Sequence, residues 1–241
     1  MTASLELGRT LKRKNALTAI ACGALPGLIA SAFIRMSTRG WLLGILIGLL
    51  WSNAFEYFYH RYLLHWPNTS FGKGHLMHHL TVGTPQEPEH VTFGSSPLLV
   101  AALFAINGVF ALLFDWRWKL GFAPGILVGF SLYMVLVEEI HWRVHLGGKL
   151  PGLWWVREYH MAHHDIPSGR YNVFFPVFDF LFGNIRPAAE STHAAAMARS
   201  ITLAAGQSES NFFTTTQFIL WLWLLAMSIC ARYFWTGRLK A

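Results

Sequence analysis

The sequence predicts an all-α integral membrane protein, with about four to five transmembrane helices carrying a histidine-rich helical cap on the cytoplasmic side. Three observations predict it. Of the 241 residues, 54% are hydrophobic and 13% charged, against roughly 25% charged in soluble domains, so lipid is the expected main solvent. Five stretches approach the ~20 apolar residues that a spanning helix needs. Ten of the twelve histidines fall into four tight groups beside those stretches. No linker-like run or abrupt shift of composition divides the chain, so residues 1–241 are expected to form a single membrane-embedded domain.

In chain order, Arg9, Lys12, Arg13 and Lys14 precede the first stretch, 15–36. A signal peptide is one reading. The run outlasts a typical h-region and shows no small-residue cleavage pattern, which favours a retained membrane segment. Gly23, Pro26 and Gly27 within it are residues that membrane helices tolerate. The short turn from Ser37 to Gly40 predicts a hairpin with the second stretch, 40–59. Asp115 to Lys119 forms a second tight connection, between the third stretch, 96–115, and the fourth, 119–140. An extra C-terminal span is expected at 213–235. Cys22 and Cys230 each sit alone in an apolar segment, as inert buried thiols do. Trp51, Trp66, Trp142, Trp154 and Trp155 are expected as interface anchors.

The histidine groups are His60 and His65; His75, His78 and His79; His141 and His145; and His160, His163 and His164. A buried imidazole needs a hydrogen bond, a charged partner or a metal, and ten in four groups make metal ions the leading expectation. Residues i and i+4 on a helix lie about 40° apart, and i and i+3 about 60°. His141 and His145 therefore share a face, as does each HxxHH tract. His60 and His65 are about 140° apart on a regular helix and call for a helix end or a local distortion. Two spans separate the first pair of tracts from the second, an even number of crossings, so all four can converge on one side.

The order pair-then-HxxHH occurs twice and reads as two half-sites, together enclosing two ions. Ten imidazoles exceed what one ion takes. A structural zinc site would need four ligands, and a haem only one or two. The excess favours a dinuclear, redox-capable centre with iron as the expected metal and zinc as its substitute in purified protein. Glu56 and Glu138 could orient neighbouring imidazoles, or could be helix-end carboxylates paired with Arg61 or Arg143. Glu158 and Asp165 flank the last tract as further candidates. His90 and His193 are expected in surface loops.

The net charge of +7 comes from scattered basic residues with no recognition helix, so no nucleic-acid partner is expected. Twelve Lys and Arg residues fall on the histidine face and seven on the other. That balance predicts a cytoplasmic histidine face, in a bacterial inner membrane or the endoplasmic reticulum.

Several stretches carry a family resemblance. "EYFYHRYLLH" from Glu56 to His65, "HLMHH" from His75 to His79, "HWRVH" from His141 to His145 and "REYHMAHH" ending at His164 resemble the fatty acid hydroxylase/sterol desaturase superfamily, most closely its fatty acid 2-hydroxylase branch. So does "YNVFFPVFDFLFGN", with Pro176, Asp179, Phe182 and Gly183 in a Pro-x-x-Asp-x-x-Phe-Gly run. The resemblance covers about 50–185. Asn172 stands where that branch usually carries glycine, and Phe71 lies near the place of an extra histidine.

The resemblance implies an oxidoreductase in which all ten histidines ligate two metal ions, with O2 as co-substrate. It would hydroxylate an acyl chain of a fatty acid or complex lipid. No flavin, iron–sulfur or haem motif is evident, so electrons would come from an external donor such as cytochrome b5 or ferredoxin with its reductase. No catalytic side chain beyond the ligands is required. A sterol- or carotenoid-directed oxidase or desaturase is the alternative within the superfamily. A membrane metal transporter is the remote one, because its ligands should lie near the bilayer midplane and these tracts lie at span ends.

Overall fold

The computed structural model describes residues 3–34, 36–66, 69–94 and 96–185. Among them every regular element is helical. Helix α1 (Ala3–Ala19) runs through a π-helical segment (Ile20–Ala24) into α2 (Leu25–Ala30). Helix α3 (Thr38–Phe58) likewise passes into a second π segment (Tyr59–Leu64). There follow α4 (Ser70–Thr81), α5 (Glu87–His90), α6 (Pro97–Trp118), α7 (Ala123–Leu146), α8 (Trp154–Asp165) and α9 (Val177–Leu181).

Among the described residues three helices are long and apolar enough to cross a membrane: Thr38–Leu64, Pro97–Trp118 and Ala123–Leu146. They correspond to the second, third and fourth expected stretches, each extended at its C-terminal end. The first expected stretch, 15–36, forms no helix of that kind. Its helix stops at Ala30 and its N-terminal part is polar. Only residues 16–30 are both helical and apolar, about 22 Å at 1.5 Å per residue against a hydrocarbon core of about 30 Å. The expected span at 213–235 lies outside the described residues.

The helix ends follow from local chemistry. The Ser37 side chain accepts from Gly40 N at 3.0 Å to start α3, and Thr69 from Gly72 N at 3.0 Å to start α4, as N-cap hydroxyls do. Ser96 caps α6, with Pro97 at its first position. The tight α6–α7 connection is held by Asp115. Its carboxylate accepts from Gly121 N (2.6 Å), Phe122 N (3.1 Å) and Ala123 N (3.1 Å), which satisfies donors that a helix start leaves open.

Helices α3 and α7 form the centre of the bundle. They approach along Gly44 and Gly48 on one and Gly125 and Gly129 on the other. A Cβ at any of these would overlap a backbone carbonyl of the facing helix: Phe122, Ile126, Trp41 and Ile45 respectively. Small residues at regular spacing are how membrane helices gain packing energy where lipid offers no hydrophobic drive. At the ends of α3 and α7 lies the cap, with a core of Val137, Ile140, Val144, Val156 and Val173. Trp142, expected at an interface, is buried instead beneath the Lys12 ammonium, 5.0 Å from its ring, because α1 folds back over the end of α7. Trp154 is exposed, and Trp51 donates to Asn107 Oδ1 at 2.8 Å. Cys22 is half-buried in the first π segment.

Candidate metal centre

All ten histidines of the four tracts meet in the cap. Their ligand atoms form two sets of five: His60, His65, His75, His79 and His163 in one, and His78, His141, His145, His160 and His164 in the other. Within each set the atoms lie within 4.8 Å of one another.

The first pair owes its place to the π segment. In a π-helix the hydrogen bonds run from i to i+5, so residues five apart come one above the other. Tyr59–Leu64 is wound this way, and His60 and His65 face a common point, with ring centroids 5.2 Å apart. The distortion expected at this pair is thus a specific one.

The tract order left open which histidines share an ion, and the two sets do not follow it: the first two tracts do not form one set and the last two the other, because His78 and His163 change places. Helix geometry gives the reason. In HxxHH the first and last histidines are about 40° apart, while the middle one is a further 60° round the other way. His75 and His79 therefore serve one set while His78 turns into the other. His160 and His164 serve that other set while His163 turns back. The two sets are related as mirrored roles of one pattern, and they touch at His79 and His164, whose ring centroids are 4.3 Å apart.

The donor spacing fits metal ions. His75 Nε2 lies 3.0 Å from those of His60 and His79, and His160 Nε2 lies 3.0 Å from those of His141 and His145 and 3.2 Å from that of His164. Ligands at right angles about an ion bound at about 2.1 Å sit about 3 Å apart. Both ring nitrogens of His78, and Nδ1 of His160 and His164, have no hydrogen-bond partner. Burial first, and neighbouring imidazoles second, push His75, His78, His79, His160 and His164 well below the ordinary histidine pKa. Burial brings His163 down to about 4. The rings are neutral at pH 7, as metal ligation requires.

Three rings have their tautomer fixed. His60 Nδ1 faces Tyr171 O, His163 Nδ1 faces Gly169 O at 2.7 Å, and His145 Nδ1 faces Glu87 Oε1 at 2.8 Å. A carbonyl can only accept, so in the first two pairs Nδ1 carries the proton and Nε2 presents its lone pair. Glu87 does the same for His145 and is itself held by Gly83 N at 2.9 Å.

The sequence pointed elsewhere for this role. Glu56 and Glu138 touch no imidazole. Glu56 accepts from Tyr133 OH (2.6 Å), Asn172 Nδ2 (2.9 Å) and Val173 N (2.9 Å), and Glu138 from Phe93 N at 3.0 Å. Neither pairs with Arg61 or Arg143; it is Glu139 that binds Arg143, at 2.7 Å. Glu56 and Asp179 together clamp loop 171–173, since Asp179 accepts from Tyr171 N (2.9 Å), Asn172 N (2.8 Å) and Tyr159 OH (2.9 Å). That loop supplies the carbonyl that orients His60. Glu87 lies eight residues after His79 but 58 before the ring it orients, and nothing in the sequence singled it out. His193 lies outside the described residues. His90, expected in a surface loop, is half-buried in α5, because α1 packs over it.

A chamber of about 250 Å³ opens on His60 and His75 of one set and His78 and His141 of the other. Its apolar wall includes Leu11, Leu64, Phe71, Val91, Phe93 and Leu99. A group lying there would face both sets at once.

A family model described as Fatty acid hydroxylase matches residues 45–184, more than half of the chain and every histidine of both sets. No curated protein and no solved structure matches.

Proposed function

Because this chain belongs to the fatty acid hydroxylase family, we propose that it is a membrane-bound, O2-dependent dimetal hydroxylase acting on the acyl chain of a fatty acid or complex lipid. The observation that carries the reading is the apolar chamber opening on histidines of both five-membered sets. Iron is the metal we expect. When bound, the two ions would supply the reduction and activation of dioxygen.

The chain's own residues do the rest. His60, His65, His75, His79 and His163 would hold one ion, and His78, His141, His145, His160 and His164 the other. Tyr171 O, Gly169 O and Glu87 orient three of those rings, which keeps Nε2 free to ligate. A saturated chain offers no polar handle along its length, so the apolar wall must orient it by shape. The same wall excludes water from the reacting carbon. One dioxygen, two electrons and two protons convert the C–H bond to C–OH and release water. The electrons come from an external carrier such as cytochrome b5 or ferredoxin with its reductase, docking on the basic histidine face. We place that face in the cytoplasm, in a bacterial inner membrane or the endoplasmic reticulum.

Lipid mass spectrometry of cells with and without the protein tests the activity. A gain of one oxygen on acyl chains is expected, whereas a change confined to sterols or carotenoids would move the reading to that branch. Alanine at His78, His79, His163 or His164 should abolish turnover while membrane insertion persists. Activity retained in two or more of these variants would sink the site.

A further inference from the structure

On the membrane side of the chamber, between α1, α3, α6 and α7, lies a smaller cleft of about 40 Å³; Tyr59 and Phe93 line both. The other residues of its wall lie deeper among the spans. Phe55 precedes Tyr59 by about 6 Å along α3, and Phe130 precedes His141 by about 16 Å along α7. Phe104 lies about 10 Å in from the start of α6 at Pro97. Phe130 stands edge-on to both of the other rings, at 5.5 Å from Phe55 and 5.1 Å from Phe104. Asn15 and Glu138 bond each other and the backbone of Gly94 and Phe93, and the Tyr59 ring stacks on Phe55 at 5.4 Å. What the cleft presents is therefore apolar. Water finds no partners in such a space, and left empty its lining forfeits dispersion contacts. A hydrocarbon group suits it.

We propose that this cleft binds the alkyl end of the lipid substrate, so that the molecule oxidised is a linear chain standing along the spans and not a fused-ring lipid. The inference rests on the lipid-oxidation reading above and adds the direction in which the substrate lies. Tyr59 directly precedes His60, and the Phe93 ring is 5.0 Å from that of His141. A chain passing these two residues therefore crosses the wall to which each metal set contributes a histidine. A polar end pushed into the cleft would go without a partner, whereas the chamber offers it Glu89, His90 and Thr92. The chain thus enters methyl end first, with its polar end left at the cap. At about 10–15 Å³ for each water-sized sphere, the cleft takes about three methylene groups. A sterol nucleus or the end ring of a carotenoid is far larger.

The test is photolabelling of the metal-loaded protein in detergent, with labelled positions mapped by peptide mass spectrometry. Three probes are used: a long-chain fatty acid with a diazirine at its methyl end, the same acid with the diazirine beside its carboxyl group, and a sterol with one on its ring system. The methyl-end label is expected on Phe104, Phe130 or Met134, displaced by the unlabelled acid. The carboxyl-end label is expected in the chamber, on Phe71 or His90, and the sterol in neither place. Ala19, 3% exposed and packed with Phe104 and Phe130, gives the decisive variant. Ala19→Leu fills the cleft and should cut methyl-end labelling there about tenfold, as an overpacked site does, with bound metal unchanged. Ala16→Leu acts from a half-buried position in the same wall and carries the test if the first variant fails to fold. Methyl-end labelling confined to the chamber, or to lipid-facing residues such as Leu112 and Leu113, would overturn the proposal. So would cleft labelling undiminished in both variants, or a sterol label in either cavity. If no probe labelled chamber or cleft, the lipid-oxidation reading itself would fall, and this subsite with it.

Discussion

His78 and His163 sit one residue before His79 and His164, yet each serves the other ion position. Consecutive residues on a helix diverge by about 100°, so no HxxHH tract can turn all three rings to one point. The exchange yields a specific expectation. Substituting His163 by alanine should deplete the same ion as His60→Ala, and His78→Ala the same ion as His141→Ala. Metal analysis with spectroscopy of the remaining ion in single and paired variants checks this; pairing by sequence neighbourhood would refute the partition. Glu87→Gln should weaken the second set alone, by about 10- to 100-fold in metal affinity, the usual cost of losing a carboxylate behind a ligating imidazole. The ten histidines that the structure brings together were legible because histidine is so seldom buried in numbers. The partition was not, although angular arithmetic separates the middle histidine of each HxxHH from the outer two. Nor was Glu87, because nothing local ties a carboxylate at the start of α5 to a ring 58 positions on.

At the scale of elements, two features carry the geometry. The π segment at Tyr59–Leu64 aligns His60 with His65. Inserting one alanine after Tyr62 should put the pair six residues apart, swing His65 away and lower bound metal toward one ion per chain while the protein stays folded. Deleting Tyr62 should instead leave the pair four apart on an α-helix, still on one face. Metal-to-protein ratio after purification reads this directly. The glycine seam between α3 and α7 sets the distance at which their histidines meet. Gly125→Leu should force the helices apart and destabilise the bundle by about 1–3 kcal/mol, seen as a lower melting temperature. Gly44, Gly48, Gly125 and Gly129 stand at four-residue spacing in the sequence. Such spacing says that something packs closely, not which helix does so. The stretch at 15–36 misled for the opposite reason, since apolar content does not reveal where a helix stops.

For the molecule as a whole, the organising fact is that two helices long and apolar enough to cross a membrane, α6 and α7, separate the first pair of tracts from the second. It predicts that cysteines introduced at Gly83 and Gly148 are labelled from one side of the membrane, and one at Gly121 from the other. Labelling of all three from one side would contradict the topology. Acid sensitivity is also a property of the assembled cap. In the unfolded chain a histidine takes up its proton near the ordinary value of 6.5, whereas in the folded chain His163 resists protonation down to about 4 and its neighbours resist it as well. Between those values the unfolded state binds more protons, so stability falls as pH falls. Melting temperature and retained metal should stay level above about pH 7 and decline together below about 6.5.

The traded positions of His78 and His163 have one more consequence. Neither polypeptide half carries a full complement of donors for a single cation, so a fragment ending before α6 is one imidazole short however well it folds. Five-fold ligation of either cation would thus report that α4 and α8 have met across the bundle. A half-translated or cleaved copy could at most hold an ion by four imidazoles and would lack the fifth.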